Sequence, residues 1–273
     1  MEVFIMKSSN VQKGIPLISL VTYIIMIVTN ALANILPING KGTGEISDFY
    51  ANLFAPAGYT FAIWGLIYLL LLTYTVYQLS FHQAKDDNKK QLIKTINIAF
   101  IISSLANAFW ILAWHYDYIF ISLVLMLIIL ICLIRINLAL RKKELSIWQK
   151  LFIRLPFSVY FGWITVATVA NVTTLLVSLE WDGFGLADYF WTDIIIIIAA
   201  IIGFAATLYY QDVAYASVII WAYIGILVKH LSTAGFDGEY VSVIVSIVVS
   251  MLLILTAIVL VIQIKLKKKK YSH

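Results

Sequence analysis

The chain has one cysteine, four prolines and few charges, with Asp, Glu, Lys and Arg making up only 12% of its 273 residues, against about 25% in a soluble domain. The lone Cys132 excludes an intrachain disulfide and any cysteine-spaced metal site. Four prolines and 13 glycines leave no Pro/Gly-rich linker, and the one low-complexity stretch is the tail Lys267-Lys268-Lys269-Lys270. Also missing is a Ser/His/Asp, Cys/His or metal-spaced constellation: His82, His115, His230 and His273 fall in loops, at a helix end or at the terminus. Acid–base and metal catalysis are therefore not expected. What the chain does have is apolar bulk, 62% hydrophobic residues with a mean hydropathy of +0.95, which excludes a water-soluble globular protein.

The apolar residues fall into eight runs, 15–36, 58–79, 95–114, 119–140, 157–178, 191–210, 214–231 and 241–264. A helix needs about 20 such residues to cross a hydrocarbon core of about 30 Å. The fold class read from this pattern is an all-α integral membrane protein, a bundle of about eight transmembrane helices. Basic residues collect in alternate segments: Lys7 and Lys13; Lys85, Lys89, Lys90 and Lys94; Arg141, Lys142, Lys143, Lys150 and Arg154; and the tail. The intervening connections 115–118 and 179–190 carry none, and 232–240 is acidic through Asp237 and Glu239. The positive-inside rule then places both termini in the cytoplasm of a multi-pass protein, expected in the plasma membrane. Connection 210–213, also assigned to that side, holds Asp212 and no basic residue. The formal charge of +5 follows from this topology; it implies no nucleic-acid partner, and a basic tail beside a bilayer meets anionic lipid. Lys7 and Lys13 ahead of an apolar stretch ending Ala31-Leu32-Ala33 also resemble a cleavable signal. The run exceeds the usual core of about 7–15 residues, and its loss would remove a helix the alternation needs, so it is read as retained.

Three charges fall inside runs. Arg135 is near the inner end of the fourth, Lys229 near the outer end of the seventh and Asp193 at the outer start of the sixth, where snorkelling or capping accounts for each. No carboxylate or histidine is placed at mid-membrane depth, which argues against a proton-coupled pump.

Three runs carry polar and aromatic stripes. Phe61, Trp64 and Tyr68 stand at i, i+3 and i+7, an arc of about 60° at about 100° per residue. Ser103, Asn107, Trp110 and Trp114 form a second stripe, and Tyr160, Trp163, Ala167 and Asn171 a third. Thr165, Thr168, Thr173 and Thr174 make the fifth run polar enough to face protein on more than one side. Trp148, Trp181 and Trp191, near span ends, fit an interfacial belt. A buried amide such as Asn107 or Asn171 must pair across helices or meet a ligand, since leaving it unsatisfied costs about 1–3 kcal/mol. Converging stripes would wall a cleft suited to a flat, mostly apolar ligand with polar edges. Trp64 and Trp163 each lie about 9 Å inside opposite edges of their runs, however, an offset of about 12 Å in depth. That offset calls for a large ligand or a displacement of the fifth helix at Pro156.

The stretch Phe49-Tyr50-x-x-Leu53-x-x-Pro56, continuing to Trp64 and Tyr68, resembles the first loop and second helix of the TspO/MBR family, the tryptophan-rich sensory proteins related to the translocator protein. Asn107-x-x-Trp110 is similar to that family's third-helix motif, and Pro156 with Tyr160-x-x-Trp163-x-x-x-Ala167-x-x-x-Asn171 to its fifth. The resemblance covers about residues 15–178. It divides the chain into a five-helix core, 1–178, and three additional helices with a basic tail, 179–273. Ala199, Gly203 and Thr207 could pack those added helices closely. Two departures stand out: the first loop reads Pro56-Ala57-Gly58-Tyr59 in place of the family's double proline and Trp, and Val172 to Ser178 is followed by Glu180 and Asp182 where a sterol-contact pattern is usual.

The resemblance implies a membrane receptor or sensor that binds porphyrins or related planar hydrophobic molecules. Trp64, Tyr68, Asn107, Trp110, Tyr160, Trp163, Ala167 and Asn171 would line the pocket. The loop 37–57, with Gly40, Gly42 and Gly44, would be either a flexible lid or a plain extracytoplasmic connection. No cofactor is required, and porphyrin or haem would be a ligand; His115 beside Trp114 is either a contact for a haem-like ligand or a solvated loop histidine. The partners implied are the lipid bilayer and a planar small molecule, with a homodimer compatible. Two other functions compete: a transporter of small hydrophobic solutes, whose inverted repeats and broken helices are not found, and a tryptophan-mediated photochemical breakdown of porphyrin.

Overall fold

The computed structural model describes residues 2–36, 38–79, 87–141 and 143–270, leaving the side chains of residues 2–13 and 87 undescribed. Lys85, Lys142, His82 and His273, named above, lie outside the described residues, as do the side chains of Lys7 and Lys13. Helix makes up 86% of the structure and no strand occurs among the described residues, the all-α class expected from hydropathy. In chain order the helices are α1 Glu2–Ile35, α2 Thr43–Phe49, α3 Ile63–Leu79, α4 Asp87–His115, α5 Ile119–Arg141, α6 Ile147–Gln149, α7 Leu155–Ser178, α8 Asp188–Tyr210, α9 Val213–Leu231 and α10 Val241–Lys270. Among the described residues eight segments are long and apolar enough to cross a bilayer, and the chain is a multi-pass integral membrane protein. Side chains such as Phe120, Ile201 and Leu252 leave more than half their surface open, as helices bathed in lipid require.

Two spans start earlier than hydropathy places them. The third begins at Asn88 and the fifth at Ile147, because Lys89, Lys90 and Lys94, and likewise Lys150 and Arg154, depress hydropathy over turns that are helical. Ser146 opens the fifth with a capping box, its hydroxyl accepting from the Gln149 N–H while the Gln149 side chain accepts from the Ser146 N–H. A π-helical turn, Lys150–Arg154, precedes α7. Pro156 follows this turn directly. It is the second residue of α7, where the widened turn absorbs both its missing N–H and its clash with the preceding carbonyls.

The chain forms two compact units. One comprises Met1–Gly42 and Trp64–Phe157, the other Thr43–Ile63 and Ser158–His273. In the first, α4 packs against α1 and α5. Its core holds Tyr74, Phe100 and Phe157, fully buried, with ring centroids 4.7–5.5 Å apart and interplanar angles of 71–84°, the edge-to-face packing aromatic quadrupoles favour. The Tyr74 hydroxyl donates to Asn97 Oδ1, and Tyr23 donates to the Tyr68 carbonyl at 2.9 Å, so both phenols are buried with partners.

In the second unit α10 packs on α8 and α9. Ala199, Gly203 and Thr207 are all buried there, and a Cβ on Gly203 would come within 2.8 Å of Ile219 and 3.0 Å of Ile254, so these small residues do let three helices close in. Gly162 is tighter still, with a Cβ placed 2.7 Å from the Tyr215 carbonyl oxygen. Asp193 is not a cap: the N-cap position of α8 is Ala187, which makes no side-chain capping bond, and the Asp193 Oδ1 is buried with no hydrogen-bond partner among the described residues.

Candidate functional site

In the first unit the stripes of α3 and α4 come together as a ladder of rings. Tyr68 stacks on Trp64 at 5.6 Å and 26°, Trp64 meets Trp110 at 5.6 Å and 32°, and Trp110 stacks on Trp114 at 6.0 Å and 24°. Helical spacing causes the arrangement: 64 and 68, and 110 and 114, are one turn apart, so each helix supplies two rungs. Trp110 is 5% exposed, yet its indole Nε1 has no hydrogen-bond partner among the described residues. Asn107, one turn before it, accepts at Oδ1 from Asn30 Nδ2 at 2.8 Å, and Asn30 also donates to the Met26 carbonyl at 2.8 Å. Asn107 thus ties α4 to α1 while flanking the ladder. Asn30 escaped the sequence reading, although a lone amide in an apolar first span is itself a signal, since it must find a partner.

The second unit carries the stripe of α7. Tyr160, Trp163 and Asn171 are buried and Ala167 is half-buried. Trp163 meets the Phe61 ring edge-on at 6.0 Å and 84°. Phe61 opens the second span, and the helical path that starts at Ile147 carries Trp163 near its mid-length. A second face of α7 packs on α9, where Phe161 lies 4.8 Å from Tyr215, whose hydroxyl donates to Thr165 at 3.3 Å. The expectation that this polar helix faces protein on several sides holds. Trp64, Tyr68 and Trp110 are brought together, with Asn107 beside them; Trp163 has its contact in Phe61.

The segment Thr43–Ile63 is strapped to α9, so the part of the 37–57 loop within it is not a free lid. The Ala57 N–H donates to the Gly225 carbonyl at 3.0 Å, the Trp221 indole to the Thr60 carbonyl at 3.1 Å and His230 Nε2 to the Leu53 carbonyl at 2.9 Å. Lys229 forms an ion pair with Asp48, while Ile46, Phe54 and Thr60 are buried. Neither described histidine is solvated. His115 is 1% exposed with Nδ1 donating to the Ile38 carbonyl at 3.1 Å, and His230 is 0% exposed in the last turn of α9. Both side chains serve packing and strapping.

A family model described as "TSPO-like protein" matches residues 16–262, running past residue 178 through the last three helices. No curated protein and no solved structure matches the chain.

Proposed function

The chain belongs to the TSPO-like family, and we propose that it is a membrane receptor or sensor for a planar hydrophobic molecule such as a porphyrin, bound against the Tyr68–Trp64–Trp110–Trp114 ladder. The observation that carries this reading is the buried Trp110 N–H within a stack of rings. An unsatisfied buried donor costs about 1–3 kcal/mol, and a macrocycle with polar edges supplies the acceptor while its face extends the stack. The rungs are already in contact with one another, so the ligand adds to an end or side of the ladder and does not enter between rungs. Asn107, fixed by Asn30, offers a second polar group on the same stripe. Tyr160, Trp163, Ala167 and Asn171 form a second candidate set on α7. Basic residues at Lys89, Lys90, Lys94, Arg141, Lys143, Lys150, Arg154 and the Lys267–Lys270 tail support cytoplasmic termini in a plasma membrane.

Titrating protoporphyrin into the detergent-solubilised chain should quench tryptophan fluorescence saturably. Trp110→Phe, which keeps a ring and deletes the donor, should weaken binding about tenfold, the value of one hydrogen bond in a dry site. Trp64→Ala and Trp163→Ala, made separately and together, assign the two sets; unchanged affinity in the double variant discards the reading.

A further inference from the structure

We propose that a cavity at the α7–α8 end of the second unit binds a small organic cation of the quaternary-ammonium class, a site independent of the aromatic ladder. Its volume is about 200 Å³, below the roughly 300–1,000 Å³ of pockets for drug-sized ligands, so it suits a compact head group and not a macrocycle. Two of its walls are Trp181 and Trp191, with ring centroids 5.0 Å apart and planes at 58°, an open V of indole faces, and Phe236 adds a third ring. Such faces carry the negative pole of the ring quadrupole and attract a cation within about 6 Å of the centroid.

Among the polar side chains lining the cavity, Asn52 donates from Nδ2 to the Tyr50 carbonyl at 2.9 Å, and three others also have donors engaged. The Thr173 and Thr192 hydroxyls donate to the Ala170 and Asp188 carbonyls at 2.7 and 2.8 Å, and the Trp191 N–H donates to the Gly183 carbonyl at 2.8 Å. Their protons are committed, so the Thr173 and Thr192 hydroxyls offer only lone pairs, which attract a cation's positive charge and present no donor to repel it. No Lys, Arg or His lines the cavity, whereas Asp188 does, exposed and available to enter an ion pair. One residue from Thr192, the Asp193 Oδ1 is buried without a partner among the described residues. Connections 179–187 and 232–240 add Glu180, Asp182, Asp237 and Glu239 and no basic residue. Lys229, 5.9 Å from the Phe236 centroid, is paired with Asp48 and brings no net charge. The interfacial-belt role expected for Trp181 and Trp191 does not account for two indoles opening onto a cavity with a carboxylate on its wall.

The cation is either free in solution or the choline head group of a lipid, and one experiment separates the two. Choline is titrated into the full chain in maltoside detergent, followed by tryptophan fluorescence, beside its uncharged carbon isostere 3,3-dimethylbutanol. Saturable choline binding is expected, with the isostere at least tenfold weaker, Trp181→Ala weakening choline about tenfold and Asp188→Asn several-fold. Repeating the titration in nanodiscs assigns the source: weaker apparent affinity in phosphatidylcholine than in phosphatidylglycerol marks the lipid head group, and equal affinity marks a free cation. Isostere and choline binding equally, the absence of saturable choline binding, or wild-type affinity in both variants overturns the proposal. Protoporphyrin quenching of the same variants checks that they remain folded and stands or falls separately.

Discussion

Gly225→Ala should lower the thermal midpoint of the solubilised protein by on the order of 5 °C, the cost of overpacking by about 1–3 kcal/mol. A Cβ at this position would run into the Thr60 side chain, overlapping Oγ1 and lying 2.7 Å from Cγ2. Neither partner can easily retreat. The Gly225 carbonyl accepts from Ala57 and the Thr60 carbonyl accepts from the Trp221 indole, so these hydrogen bonds hold the two segments at this separation. Adding Thr60→Ala to Gly225→Ala removes the overlapping atoms and should recover part of the loss, leaving a coupling between the two sites that distant mutations would not show. A Gly225→Ala protein as stable as the parent would mean that the segment is not held as described.

Asp212→Ala is expected to cost about 2–4 kcal/mol, the sum of a lost helix cap and a broken buried hydrogen bond. Asp212 caps α9 through Oδ1, which accepts from the Tyr215 N–H at 3.2 Å, while Oδ2 accepts from the Ser158 hydroxyl, and the side chain is 5% exposed. Asp212→Asn keeps the cap acceptor but presents an amide to Ser158, so it should fall between parent and Ala. Ser158→Ala should cost less than Asp212→Ala because the cap survives. Thermal unfolding ranks the three, and hydrogen exchange at the Tyr215 amide should quicken only where the cap is lost; equal stability of Asp212→Ala and the parent would remove this role.

Hydropathy made the fold legible because lipid leaves the backbone few options: eight apolar runs of sufficient length mean eight helices. It places helix starts too late where lysine and arginine enter helical turns, as at Lys150 and Arg154. The rungs Trp64, Tyr68 and Trp110 were legible because a period of 3.6 fixes a shared face without any tertiary knowledge. What periodicity cannot give is the partner across a gap in sequence. Asn30 for Asn107, Leu53 for His230 and Ser158 for Asp212 are side-chain bonds made by residues 20 or more positions apart, chosen by packing. The lone carboxylate of connection 210–213, silent in a count of charges, is explained by that packing.

The straps on Thr43–Ile63 also impose an order in time. Trp221 to Thr60, His230 to Leu53 and Lys229 to Asp48 join positions 161, 177 and 181 residues apart. At an elongation rate of about 5–20 residues per second, the ribosome delivers α9 on the order of 10–30 s after the segment it fastens. A nascent chain thus carries a first connection that lacks these three bonds until the seventh span is made.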